Sequence, residues 1–293
     1  MGEKMDGWIV LDKPTNVFSK KAAMRVARLF GATKNGHIGT LDPMASGVLP
    51  VALGAATKMI PFLEEVSDRT KEYLFSVQFG FETDTLDITG SEIARSDIVP
   101  DTELVKSVLG EFIGEISQIP PVYSAVHVGG RRAYELARNG KSVDMPSRLV
   151  SIYFLELTEI VGNSWHFRMR CSPGTYVRSV ARDIAKRCGT LATVDMIRRT
   201  QTSGFTLKNA VGLDFLEKLV NNGGDVGQYL APIDSGLGGI PVLNLNDKET
   251  KLYKNGGFIN VSGTNGYVRV YSDEKFIGIG IISDGVLRPK RTI

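Results

Sequence analysis

Apolar positions Ala23, Val26, Ala27 and Phe30 recur at helical spacing through a basic stretch. They predict a helix over Lys20–Phe30, capped by Ser19 and stopped by Gly31. Between 71 and 81 the period changes to two. Tyr73, Phe75, Val77, Phe79 and Phe81 share one side of a predicted strand, and Glu72, Ser76 and Gln78 share the other. A helix is expected over 102–114, and a short one near Ala133–Arg138. Residues 149–160 and 164–171 read as strands joined by a Gly-Asn-Ser turn. Val177, Val180, Ala181, Ile184 and Cys188 mark one face of a helix over 175–188, closed by Gly189. Arg178, Arg182 and Lys186 form a second stripe on it. From Gly236 onward a helix over 247–256 precedes several short strands with glycine turns, the pattern of a small β-barrel. Paired strands with short turns favour α+β with a mixed, largely antiparallel sheet. The expected division is 1–235 and 236–293, with a basic excursion at about 117–150.

Composition narrows the class. The chain has 293 residues, 42% of them apolar, which suits a large domain plus a small one. The opening MGEKMDGW is too acidic for a signal peptide, and no apolar run approaches a membrane span. Cys171 and Cys188 lie in no metal or redox spacing and read as reduced thiols, so a cytoplasmic location is expected. The net charge of +3 hides an uneven distribution: −9 over 60–119 and +8 over 120–210. Such a basic block attracts a phosphate backbone, unless the acids of the neighbouring block pair with it in the fold.

The stretch GHIGTLDPMASGVLP, Gly36–Pro50, fits no regular element. Its three glycines and two prolines interrupt helices and strands, and small residues surround His37 and Asp42. Two readings of Asp42 stand side by side. Followed by Pro43, it is a good helix cap; in a loop on a rigid scaffold, it is a candidate catalytic acid. There is no phosphate-binding glycine loop and no dinucleotide fingerprint. His37, His127 and His166 are isolated, so neither metal nor cofactor is implied. Carboxylate, phenol and guanidinium groups remain to carry any chemistry.

The loop resembles the catalytic-aspartate motif of the bacterial TruB family of tRNA pseudouridine-55 synthases. Four further segments agree in order: GWIVLDKPTNVFS, then LGAATK with KEYLFSVQFGFETDTLD, then PPVYSAVHVGGRRAYELAR, and finally GTYVRSVARDIA with IRRT. The resemblance implies that uridine is isomerised in the TΨC arm of tRNA without a cofactor. It assigns Asp42 to the anomeric carbon and Arg178 to keeping that carboxylate ionised and oriented. Tyr73 is expected to stack on the target uracil, and its hydroxyl is a candidate base. His37 is expected to help evert the nucleotide, while Tyr176 and Ile197 line the uracil pocket. Lys13 is expected to support the catalytic loop. The partner implied is the TΨC stem-loop of tRNA, with no protein partner and no membrane. The tail resembles the family's RNA-binding module of the PUA type.

The bare residues leave other readings open. Tyr73 alone reads as a core tyrosine with a satisfied hydroxyl, and Arg178 alone as a snorkelling surface cation. Arg178 would sit in the first turn after Thr175, where a cation opposes the helix dipole. His127 stands where the family usually has lysine, and Asn16 where it usually has glycine. The rival functions are a tRNA-binding folding helper and a pseudouridine synthase acting on ribosomal or other RNA.

Overall fold

The computed structural model describes residues 5–66, 68–139 and 143–293. These fall into two compact units. Residues 43–47 and 70–201 make the second unit, and the remainder makes the first. The start of the MGEKMDGW segment and residues 140–142 of the basic excursion lie outside the described residues.

Strand β1 (Gly7–Lys13) is buried almost throughout, as its apolar run requires. Helix α1 (Ser19–Leu29) buries Ala22, Ala23, Val26 and Ala27, the face that the spacing anticipated. Its cap is Phe18 and not Ser19, whose hydroxyl is engaged elsewhere. Gly31 then takes a φ of +60°, which lets the chain turn out of the helix. Strand β2 (Asn35–His37) pairs antiparallel with β3 (Ser46–Leu53), and His37 faces Val51. The glycine-rich stretch is therefore irregular only over 38–45. Pro50 sits inside β3, where its carbonyl still accepts from the Ile38 N–H. Helix α2 (Ile60–Val66) buries Phe62 and Leu63.

In the second unit, β4 (Lys71–Phe79) ends where Gly80 adopts a φ of +102°. Phe81, expected in the same strand, instead opens β5 (Phe81–Thr83), which pairs with β6 (Glu92–Arg95). Helix α3 (Thr102–Leu109) is capped by Asp101, whose carboxylate accepts from the Glu103 N–H; a 3-10 turn to Phe112 replaces its expected last turn. Next come β7 (Gly114–Gln118), the hairpin β8 (His127–Val128) and β9 (Arg131–Arg132), and α4 (Ala133–Arg138). The long pair β10 (Arg148–Val161) and β11 (Ser164–Cys171) lies close to the limits read from sequence. Helix α5 (Val177–Arg187) and strand β12 (Ala192–Thr202) complete the unit. The strand order is β3–β12–β4–β11–β10–β7. The β4–β11, β11–β10 and β10–β7 pairs are antiparallel, and β12 runs parallel to the start of β3. Phe75 stacks on Phe167 at 5.2 Å across the β4–β11 pair. On the opposite side, Ser76, Gln78 and Ser164 all donate to the Asp195 carboxylate, so that polar side is paired internally.

The first unit resumes with β13 (Phe205–Thr206), β14 (Val211–Gly212), which runs parallel to β1, and α6 (Leu213–Asn221). Arg25 of α1 makes a two-point ion pair with Glu217 of α6 at 2.6 and 2.8 Å. The tail holds β15 (Val242–Asn244), α7 (Asp247–Lys254), β16 (Ile259–Asn260), β17 (Gly266–Ser272), β18 (Lys275–Ser283) and β19 (Val286–Thr292). Its strands form a five-stranded sheet in the order β15–β17–β18–β19–β16. Asn246 and Glu249 form a reciprocal capping box on α7. Ile279 of β18 joins Trp8, Phe62, Leu63 and Phe205 in one apolar cluster, which ties this barrel-like sheet to the rest of its unit. The fold is α+β with a mixed, mostly antiparallel sheet. Among the described residues no helix is long and apolar enough to cross a membrane.

The two charge blocks partly neutralise each other. Arg168 pairs with Glu72 at 3.0 Å, Arg187 with Glu111 at 2.7 Å, and Arg178 with Asp87 at 3.4 Å. Arg131 and Arg132, on the hairpin of the excursion, remain exposed.

Candidate functional site

In the first unit, Asp42 lies near the middle of the connection between β2 and β3 and is half-buried. No helix follows it, which removes the capping reading. Its neighbour Leu41 is held at both backbone atoms by one side chain. The Ser19 hydroxyl donates to the Leu41 carbonyl and accepts from the Leu41 N–H, each at 2.9 Å and out of solvent. That pair of hydrogen bonds explains why Ser19 begins α1 without capping it. His37 opens the same connection, and its Nε2 shares a hydrogen bond with the Thr40 hydroxyl at 3.1 Å. Lys13 is fully buried, and its Nζ donates to the carbonyls of Pro14 and Val17, both at 2.8 Å. In that turn Asn16 takes a φ of +62°. Asparagine is the residue after glycine that best tolerates this region, so the departure from the family's glycine leaves the turn intact.

The remaining candidates belong to the second unit. Arg178 is not a snorkelling cation: it is buried at the start of α5, and the residue that caps this helix is Tyr176, not Thr175. The Thr175 hydroxyl instead donates to the Ser172 carbonyl. Arg178 Nη1 donates to the Thr85 carbonyl at 2.7 Å, and Nη2 donates to the Tyr123 carbonyl at 3.0 Å. The Asp87 carboxylate stands 3.4 Å away, and both side chains of this pair are about 95% buried. Asp87 also accepts from the Thr85 hydroxyl and the Thr89 N–H. The loop is pinned to β12 by Ile88 N–H to Val194 O and Val194 N–H to Leu86 O. Asp87 was missed in the sequence because a lone acid in a Thr-rich turn reads as an Asx cap; only folding places it beside Arg178.

Tyr73 is buried on β4, and its hydroxyl is bonded to the fully buried Arg199 of β12. Burial pulls the Arg199 guanidinium below its ordinary value, and the Tyr73 contact opposes that pull. Gly47 makes room for this strand: a Cβ there would meet the Arg199 carbonyl oxygen at 2.2 Å. Ile197 is buried two residues earlier on β12, and its carbonyl lies 3.5 Å from the Ser46 hydroxyl. Tyr176 is half-buried, with the Arg148 guanidinium 4.7 Å from its ring centroid. On the stripe read along α5, Arg178 is buried while Lys186 is exposed. His127 is exposed in the β8–β9 hairpin opposite Arg132.

Three arrangements result: a pinned acid-bearing loop, a buried Arg178–Asp87 pair, and two tyrosines each held by an arginine. Carboxylate, phenol and guanidinium in such settings suit acid–base and charge-stabilised chemistry.

Comparison with known proteins gives this chemistry its family. Residues 27–177 match the model of the TruB family pseudouridylate synthase N-terminal domain. Residues 241–293 match the C-terminal model of pseudouridine synthase II TruB. Ehrlichia chaffeensis tRNA pseudouridine synthase B is 40% identical, the match covering 98% of this chain and 99% of that protein. The Gluconacetobacter diazotrophicus protein of the same name is 37% identical, covering 100% and 98%. Among solved structures, a Cbf5-Nop10-Gar1 complex contains a chain that superposes with a TM-score of 0.71 at 22% identity, covering 98% of this chain and 85% of that one. The last likeness speaks for the fold alone. With its N-terminal and C-terminal models both matched and full-length relatives near 40% identity, this chain belongs to the TruB family of pseudouridylate synthases.

Proposed function

We propose that the chain converts uridine 55 of the tRNA TΨC arm to pseudouridine, with 1–235 as the catalytic part and 236–293 as an RNA-holding module. The observation that carries the reading is the family's aspartate motif, in which Asp42 caps no helix and follows a backbone pinned from α1. The reaction breaks the bond between uracil N1 and ribose C1′. The base turns, C5 bonds to C1′, the C5 proton leaves, and N1 takes up a proton.

The reacting sugar carbon becomes electron-poor as the N-glycosidic bond breaks, as in glycoside hydrolysis. Asp42, ionised, supplies negative charge there. By the family resemblance, Arg178 is the guanidinium assigned to orient that carboxylate. Oxygens of Thr85, Tyr123 and Asp87 hold Arg178 in one rotamer. Tyr73 stacks on the uracil, and Tyr176 and Ile197 bound the base. The nucleotide must leave its stack to be reached, and His37 assists this. Lys13 keeps the turn after β1 closed through its two carbonyl contacts.

The test is Asp42→Asn, assayed by tritium release from tRNA transcript labelled at uracil C5. Turnover should fall by about 10²-fold or more, the scale for losing a charge aimed at a transition state. Residual turnover near wild type removes Asp42 from the mechanism. A transcript with cytidine at position 55 should release no tritium; release from it would refute the position while leaving the enzyme class standing.

A further inference from the structure

Arg148 is not used by the mechanism above, yet it is set against one of its residues. It opens β10 and lies directly across the β10–β7 ladder from Gln118. Gln118 is fully buried and clasps the Tyr176 peptide at both ends. Its Oε1 accepts from the Tyr176 N–H at 2.9 Å, and its Nε2 donates to the Tyr176 carbonyl at 3.2 Å. One rung of the sheet thus holds Tyr176 twice, by backbone through Gln118 and by ring through the Arg148 guanidinium at 4.7 Å. Neither Nε nor Nη2 of Arg148 finds an acceptor among the described residues, although both atoms are out of solvent. Gly174, at a φ of +85°, turns the chain into Tyr176 beside this guanidinium, and even a Cβ there would stand 3.5 Å from Nη1.

We propose that Arg148 is a positioning residue, its guanidinium lying on one face of the Tyr176 ring so that the ring is fixed for an everted base, with Gln118 fixing the same residue's backbone. The inference rests on the reading of Tyr176 as a wall of the uracil pocket. It extends that reading by naming what holds the wall. Tyr176 also caps α5, whose second residue is Arg178, so the rung sets the start of the helix that carries the catalytic guanidinium.

The test uses Arg148→Met, which keeps the aliphatic bulk and removes the charge and the orphaned donors. Expected is a fall in kcat between about tenfold and a hundredfold, the scale of a mispositioned group, with KM for tRNA nearly unchanged. Tm should stay within about 3 °C of wild type, because no satisfied hydrogen bond is lost. Tyr176→Leu combined with Arg148→Met should be no slower than Tyr176→Leu alone. A merely structural arginine would lower Tm and leave the two substitutions additive; either result overturns the proposal, as does a kcat loss below tenfold. A second readout needs no activity. In tyrosine-labelled free protein, the Tyr176 ring signal, assigned through Tyr176→Phe, should shift in Arg148→Met. An unmoved signal overturns the positioning role, whatever Asp42→Asn shows about the uridine chemistry.

Discussion

Ser19→Ala tests the link between the helix start and the acid-bearing loop. The substitution removes one oxygen that serves both backbone atoms of Leu41 at 2.9 Å. Ser19 and Leu41 are each buried, so the freed N–H and C=O lose a partner without gaining bulk solvent. A buried backbone group left unpaired costs about 1–3 kcal/mol; two of them, with some relaxation of the connection, come to roughly 2–4 kcal/mol. The effect belongs to the first unit, and Trp8 reports on that unit from a fully buried position. In a Trp165→Phe background Trp8 is the sole tryptophan, and urea unfolding followed by its emission under tryptophan-selective excitation gives the difference directly. On the proposed role of Asp42, the next residue, turnover should fall as well, since a displacement of about 1 Å costs about 10²-fold. Thr40→Ala is the control, because Thr40 is exposed and its loss should cost within about 0.5 kcal/mol. If Ser19→Ala unfolds within about 0.5 kcal/mol of its parent, the two hydrogen bonds do not hold the loop and the argument fails.

Two further outcomes follow from packing and burial. Gly47→Ala places a Cβ 2.2 Å from the Arg199 carbonyl oxygen at a φ of +102°, a backbone clash that no side-chain rotation relieves. It should cost about 3 kcal/mol or more and lower Tm sharply; an unchanged Tm would refute the close approach of β3 and β12. Burial pushes the Cys171 thiol up to about 11, with Thr175 and Lys71 opposing the shift. The unfolded thiol ionises near about 8.5, so above that pH the unfolded chain holds fewer protons than the folded one. The stability this thiol contributes is therefore complete below about pH 8.5 and is lost as pH rises toward 11. Urea unfolding between pH 8 and pH 11 should show a shallower alkaline decline in Cys171→Ala than in wild type. Equal slopes would mean that the thiol is not shielded.

Periodicity located most elements because side-chain spacing and backbone period are the same geometric fact. The face of α1, the alternation along β4 from Tyr73 to Phe79, and the β10–β11 pair could all be read without coordinates. Boundaries failed where one residue had two possible partners. Ser19 had the chemistry of a cap but spends its hydroxyl on Leu41, 22 residues away. Phe81 kept the alternation but fell beyond the turn at Gly80. Asp42 before Pro43 had the chemistry of a cap and starts no helix, because β3 follows within four residues.

By itself the sequence determined the secondary-structure periods, the order of the motifs, and the residue types available for chemistry. Each of these depends on neighbours along the chain. Tertiary structure alone decided which groups share a partner. It brought Asp87 to Arg178 across 91 positions, Arg199 to Tyr73, and Arg148 with Gln118 to Tyr176. These pairings follow from strand order and register, which arise when distant segments bury their apolar faces together, and no local pattern encodes them.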